Sequence, residues 1–321
     1  MAQQLSRRGF VKSSLVAAAA APFGLHGQAN PTAETPTPTG TAAAGPREKM
    51  PTGKIGGQEF SRLMLGGNLI GGWSHSRDLA YVGTLMRRYN TDAKIRETLE
   101  LAEAHGITAI NTWVMQENSH LFNHWKRGGK MKWIAQVRLD ADGGYSQIHK
   151  AIDEGAAGVH ITGDTAESLL SQEKFEKVGE TVQLIKSKKR IAGVAAHDLR
   201  VIVECEKAKV DADFYQKTFH SLDYYTAPRP DEKDALGAHD NSWCNDPQAV
   251  IDVMARATKP WIAFKVLAAG AIQPEVGFRF AFENGADHIC VGMFDFQVVE
   301  DVNIVNEVLA SIINRERAWH T

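Results

Sequence analysis

Three histidines stand in or directly after apolar runs. His160 lies inside Gly158–Thr162, His197 follows Ile191–Ala196, and His220 follows Asp213–Phe219. With Asp164, Asp198 and Glu117 available nearby, three imidazoles on neighbouring elements have the chemistry of a divalent-metal site. The same residues admit a plainer role, with His160 a hydrogen-bonded core histidine and His220 a loop residue. His197 and Asp198 are the foremost candidates for acid–base work.

A lysine in a buried run is costly unless it meets an anion or does chemistry, which singles out Lys265 in Trp261–Val266. Because neighbours along a strand alternate in direction, Lys265 and Lys217 also have the option of facing outward and snorkelling. Gln136 and Arg138 share one strand face, and Arg138 can clamp a carboxylate or sugar hydroxyls or pair with Asp140 or Asp142. Asp295 and Gln297 open the last helix, where capping is the alternative role. Cys205, Cys244 and Cys290 have no metal-binding spacing; Cys290 reads as a small buried hydrophobe and Cys244, in a polar loop, as a reactive thiol.

These residues are positioned by a repeating pattern. Short β-prone runs occur at Arg62–Leu65, Thr108–Val114, Trp133–Arg138, Gly158–Thr162, Ile191–Ala196, Asp213–Phe219, Trp261–Val266 and His288–Met293. Helical patterns lie between most of them, as at Ala166–Ser187, at Pro247–Ala257 and in a helix capped by Asp92 and ended by Gly106. Gly56-Gly57 joins two further β-prone runs as a hairpin. Eight βα units in about 270 residues predict a single (β/α)8 TIM barrel with an N-terminal β-hairpin, whose function lies at the C-terminal ends of the strands. Two long connections, residues 70–91 and 220–245, bring Trp73 and Trp243 to that face as stacking walls.

The amino terminus reads differently. Ser6-Arg-Arg-Gly-Phe-Val-Lys12 precedes an alanine-rich apolar segment, so residues 1–29 resemble a twin-arginine export signal. Residues 30–49, rich in Pro, Thr and Ala, read as a disordered linker before a barrel over residues 50–321. The twin-arginine export machinery is then a partner, and the mature chain works in the periplasm or outside the cell with no membrane segment. A formal net charge of -2, which turns more negative once Arg7, Arg8 and Lys12 leave, argues against nucleic acid. P-loop, GxSxG and HExxH motifs are absent from the sequence.

Over Pro51 to about Leu309 the folded part resembles the aldo/keto reductase superfamily. The carriers are Leu65-Gly-Gly, Gly106-Ile-Thr-Ala-Ile-Asn-Thr112, Gly193-Val-Ala-Ala-His197, Lys259-Pro-Trp-Ile-Ala-Phe-Lys265 and Val291-Gly-Met-Phe-Asp-Phe-Gln-Val-Val-Glu-Asp301. The resemblance implies a nicotinamide-dependent carbonyl reductase with an Asp, Tyr, Lys and His tetrad. Those positions fall on Asn111, on Met115 to Glu117 where no tyrosine stands, on Gln136 and on Thr162. Gln216 and Phe264 match the residues that hold and stack on the nicotinamide, while Ala195 and Ala196 replace the accompanying polar pair. Asp295 falls near the 2'-phosphate position and favours NAD over NADP. With Thr162 facing the site, His160 faces the lumen one layer deeper.

The departures outweigh the matches for function. The sequence predicts an exported barrel that acts on a small carbonyl or sugar-like substrate by acid–base or metal-assisted lyase, isomerase or hydrolase chemistry. Asn111, Gln136, Arg138, Thr162, Trp73 and Trp243 are expected to contact substrate, with His160, His197, Lys265 and Asp198 as the catalytic candidates. Two cofactor classes stay open: a divalent metal on His160, His197 and His220, and a tightly held NAD on Gln216, Phe264 and Asp295. An NAD-dependent oxidoreductase and a non-catalytic sugar-binding barrel are the alternatives.

Overall fold

The computed structural model describes residues 50–76, 79–114, 118–227 and 244–320. The export signal and linker expected over residues 1–49 lie outside them, as do Glu117 and Trp243.

Strands β1 (Thr52–Ile55) and β2 (Gln58–Ser61) form an antiparallel hairpin turned by Gly56 and Gly57, both at positive φ. Eight parallel strands then close a barrel in chain order: β3 (Leu63–Gly66), β4 (Ala109–Trp113), β5 (Lys132–Val137), β6 (Gly158–Ile161), β7 (Ile191–Ala196), β8 (Phe214–Thr218), β9 (Trp261–Phe264) and β10 (His288–Val291). Closure pairs the last strand with the first, Ile289 opposite Leu63. Each of the eight expected runs became a strand, Ile191–Ala196 with the same ends and the others with an end displaced by one or two residues.

The helices are α1 (Val82–Tyr89), α2 (Asp92–Ala104), α3 (Ser119–Lys126), α4 (Ser146–Asp153), α5 (Gly163–Ser171), α6 (Glu176–Ser187), α7 (Leu199–Lys207), α8 (Pro247–Met254), α9 (Pro274–Glu283) and α10 (Asp295–Ser311). Two expectations need correction. The single helix over Ala166–Ser187 is two, because Glu173 takes a left-handed conformation and Lys174 N closes on Leu169 O. The cap of α2 is Thr91, whose side chain accepts from Lys94 N, and Asp92 is the first helical residue.

Alternation along each strand sorts the core into two clusters. One lies between barrel and helices. The other fills the lower lumen with Met64, Ala109, Ile134, Ile191, Phe214 and Ile262, plugged from below by Ile55 and Phe60 of the hairpin. At Gly193 a Cβ would stand 2.3 Å from the Phe214 ring, so a small residue on one strand makes room for a large one on the next.

The N-terminal end of the barrel is also tied by charge. Buried Asp287 receives Arg317 Nη1 at 2.5 Å and Arg315 Nη2 at 3.3 Å, and its backbone oxygen accepts from Arg62 Nη1 at 2.9 Å. Arg317 further donates to the carbonyls of Met254, Ala257, Lys259 and Gly285. Trp319 packs against the guanidinium groups of Arg62 and Arg315, at 4.2 and 3.5 Å from its ring centre.

Candidate active site at the barrel mouth

Above the apolar plug the lumen turns polar. Asn111, His160 and Gln216 come from β4, β6 and β8, alternate strands contributing to one layer, and Gln136 and Phe264 from β5 and β9 sit one step higher. Asn111 is the hub. Its Nδ2 donates to Gln216 Oε1 at 2.7 Å and lies 3.2 Å from His160 Nε2, while its Oδ1 accepts from Gln136 Nε2 at 2.5 Å. His160 Nδ1 faces Ile161 O at 3.1 Å, so the proton sits on Nδ1 and Nε2 accepts. Burial pushes this imidazole down to about 4, which keeps it neutral. The floor of the mouth is therefore a network of neutral amides around a neutral histidine.

Over that floor opens a cavity of about 280 Å³, at the small end of ligand-sized pockets. Asn111, Gln136, Gln216, Phe264, Lys265 and Cys290 line its barrel side, and Trp73, His75 and Met86 line the side built by the connection after β3. Burial holds the Cys290 thiol up at about 12, so it is a neutral wall. Lys265 resolves the question of direction left by strand alternation. Its φ of 57° breaks the strand after Phe264, and consecutive residues both reach the cavity.

Backbone strain gathers here. Seven described residues other than glycine have positive φ; Glu173, Lys189 and Lys209 are left-handed helix ends, whereas His75, Lys265, Ala268 and Ala269 all belong to the mouth loops. Such conformations cost about 1–3 kcal/mol each and persist where the surroundings enforce them, commonly at binding sites.

Several expected site residues stand elsewhere. His197 packs beside Phe264, with ring centres 5.4 Å apart, and Glu167 of α5 anchors it by accepting from His197 N at 2.5 Å and Asp198 N at 2.8 Å. A Cβ at Gly163 would lie 2.7 Å from His197 Nδ1, so glycine admits the ring. Hydrogen bonds to this imidazole and backbone hold the Glu167 carboxyl below its usual range despite burial, but neither residue lines the cavity. Asp198 caps α7 and pairs with Arg200, a structural task in place of the catalytic one expected. Thr162 precedes α5 and its hydroxyl meets Thr165 Oγ1. Arg138 pairs with Asp164 at 2.7 Å and lies over Trp113, outside the cavity.

The histidines expected as a metal set are separated. His220 is buried with Nε2 accepting from Cys244 N and Nδ1 facing Ser221 O, and His160 is spent on the amide network. Among the described residues no three His, Cys, Asp or Glu side chains group to hold a metal ion. Cys244 is buried and burial raises its thiol, which corrects the expectation of a reactive cysteine. Lys217 faces the helix layer, donating to Thr218 O, and burial lowers its ammonium.

The nicotinamide expectation divides. Gln216 and Phe264 do line the cavity, but the Gln216 carbonyl is committed to Asn111. Asp295 is bridged to Lys94 Nζ at 2.6 Å and Tyr89 Oη at 2.7 Å and lies off the cavity. That bridge ties α10 to the loop over the mouth. The described cavity is smaller than a whole dinucleotide, and Gln216 would have to leave Asn111 to hold a carboxamide.

Trp113, His75 and Glu167 were not singled out by sequence reasoning. Trp113 was legible as the next lumen-parity residue after Asn111; Glu167 left no local signal, since it serves a residue thirty positions away.

No protein-family model matches the sequence, and no curated protein is significantly similar to it. Solved structures are similar in fold. Two structures of a Pseudomonas aeruginosa protein described as an aldo-keto reductase are 15% and 14% identical, each aligned over 82% of this chain and 98% of that one with a TM-score of 0.57. The barrel is similar to those of aldo-keto reductases. An aldo-keto reductase enzyme from a Medee basin deep-sea metagenome library aligns over 83% of this chain and 98% of its own, at 14% identity and a TM-score of 0.45. At such identity the likeness extends to the fold, and the chemistry has to be argued from the mouth itself.

Proposed function

We propose that the chain is an enzyme that binds a small carbonyl compound of sugar-like character in the mouth cavity and moves a proton next to the carbonyl, as an isomerase or lyase, with His75 of the cavity wall taking that proton from carbon and returning it. The observation that carries this reading is the cavity lining, where Lys265, set by a left-handed backbone, and the neutral amides of Asn111, Gln136 and Gln216 border the same space. A carbonyl oxygen placed there would meet the Lys265 ammonium and the Gln136 carboxamide. Developing enolate charge is stabilised more strongly than the ground-state carbonyl, which is the condition for catalysis. Phe264 and Trp73 would cover the carbon skeleton and exclude water. The twin-arginine pattern at Ser6–Lys12 supports a site of action outside the cytoplasm.

The test is solvent-deuterium exchange, followed by proton NMR, across a panel of small aldoses, ketoses and hydroxyketones. Exchange at the carbon next to the carbonyl is expected, and Lys265→Met should slow it by about 10²–10⁴-fold. Carbonyl reduction driven by added NADH or NADPH, or exchange indifferent to Lys265→Met, would sink the proposal.

A further inference from the structure

A second, larger depression of about 510 Å³ lies beside the mouth, at the C-terminal ends of β5 and β6. Its described lining carries three cations, Arg138, Lys174 and Lys177, and three anions, Asp140, Asp142 and Asp164. The signs balance. A groove that is mostly polar yet carries no net charge among its described lining residues is matched to a neutral ligand rich in hydroxyl groups, since a charged ligand would meet as many repulsive as attractive partners. The Arg138–Asp164 pair, half exposed on each side, sets donors next to acceptors at 2.7 Å, the arrangement that vicinal hydroxyls satisfy from both sides. Asp140 is fixed for this task by Ser146, whose N and Oγ donate to it and hold its carboxyl below the usual range.

The groove and the cavity are joined by aromatic surface. Trp73 lines the mouth and is 53% exposed; it meets Trp113 edge-on at 6.4 Å, and Arg138, which lines the groove, lies 5.1 Å from the Trp113 ring. Flat apolar faces followed by paired donors and acceptors suit sugar rings, which present C–H faces and hydroxyl edges. We infer that the groove is a distal saccharide subsite and that the substrate of the mouth is the reducing end, in its open-chain carbonyl form, of a neutral oligosaccharide longer than a single ring. The inference rests on the mouth being the reactive site.

The experiment is calorimetric titration of the full chain with neutral mono-, di- and trisaccharides of gluco, manno, galacto and xylo configuration, alongside the exchange assay. Trisaccharide of one configuration should bind about tenfold or more tighter than its monosaccharide. Asp164→Ala should remove most of that advantage. Ser168→Trp, an exposed α5 position on the groove wall, should do the same by bulk without touching the mouth. Affinity independent of length, a length advantage untouched by both variants, or no saccharide binding at all would overturn the inference. Groove-dependent trisaccharide binding with no proton exchange would overturn the mouth chemistry alone, and exchange on monosaccharides with no length effect would overturn the groove alone.

Discussion

The two ends of this barrel solve the same problem of buried polarity with opposite chemistry. At the N-terminal end, three arginines from distant parts of the chain converge on one fully buried aspartate and a ring of carbonyls. At the mouth, four neutral side chains satisfy one another around Asn111, and the loops above carry the strained backbone. Buried ionic contacts, each held by several partners, are costly to trade for a ligand, because a charge left unpaired there is strongly destabilising. Neutral amides in a network can exchange one partner for a substrate oxygen at modest cost, since a net hydrogen bond is worth about 0.5–1.5 kcal/mol. One end is built to stay shut and the other to be re-bonded.

The largest effect that would break this contrast is expected at the shut end. Arg317→Ala should destabilise the fold by about 3–5 kcal/mol, because it strips the 2.5 Å partner from a buried carboxylate. Urea unfolding measures the loss, and ligand binding by the protein that remains folded should be unchanged. A loss below about 1 kcal/mol would mean that Arg315 and Arg62 suffice and that the end is over-determined.

A middle-sized effect compares the ends through their histidines. Burial holds His160 at about 4, and burial with the nearby Arg62 charge holds His288 at about 4. A depressed imidazole value makes the unfolded chain the better proton acceptor between about 6.5 and 4. Stability is complete above that window and falls as the pH drops through it, by about 1.4 kcal/mol per pH unit for each histidine. Unfolding midpoints at pH 7 and pH 5 should show this slope, and His160→Asn and His288→Asn should each remove about half of it. A slope unchanged by His160→Asn would mean that the mouth histidine carries charge.

The smallest effect concerns strain. Ala269→Gly, at φ 60°, should stabilise the fold by up to about 1 kcal/mol while weakening substrate binding, because the loop no longer enforces the cavity wall. Unfolding and titration on the same sample read both. A substitution neutral in both would show that the left-handed turn is incidental.

Much of the fold was legible because each buried parallel strand is a short apolar run, and eight of them in series leave few other architectures. The polar lumen was legible in part: His160 one layer below the site followed from strand parity, and Asn111 and Gln136 stand where expected. The partners were less legible. His220 meets Cys244 N and Arg138 meets Asp164, contacts hidden by long stretches of intervening sequence, while Asp198 is drawn into capping α7 and pairing with nearby Arg200. Lys265 defeated the parity rule because the rule assumes extended backbone, and its left-handed φ is set by the loop that follows.

Asp287 has one more meaning. Its arginine partners come from residue 62, just before the first barrel strand, and from residues 315 and 317, beyond the last helix. The carboxy-terminal pair needs only the last βα unit to fold back on itself, whereas Arg62 cannot reach residue 287 until the first and last strands have met. The same residue thus records two events in order, the return of the tail and the sealing of the ring.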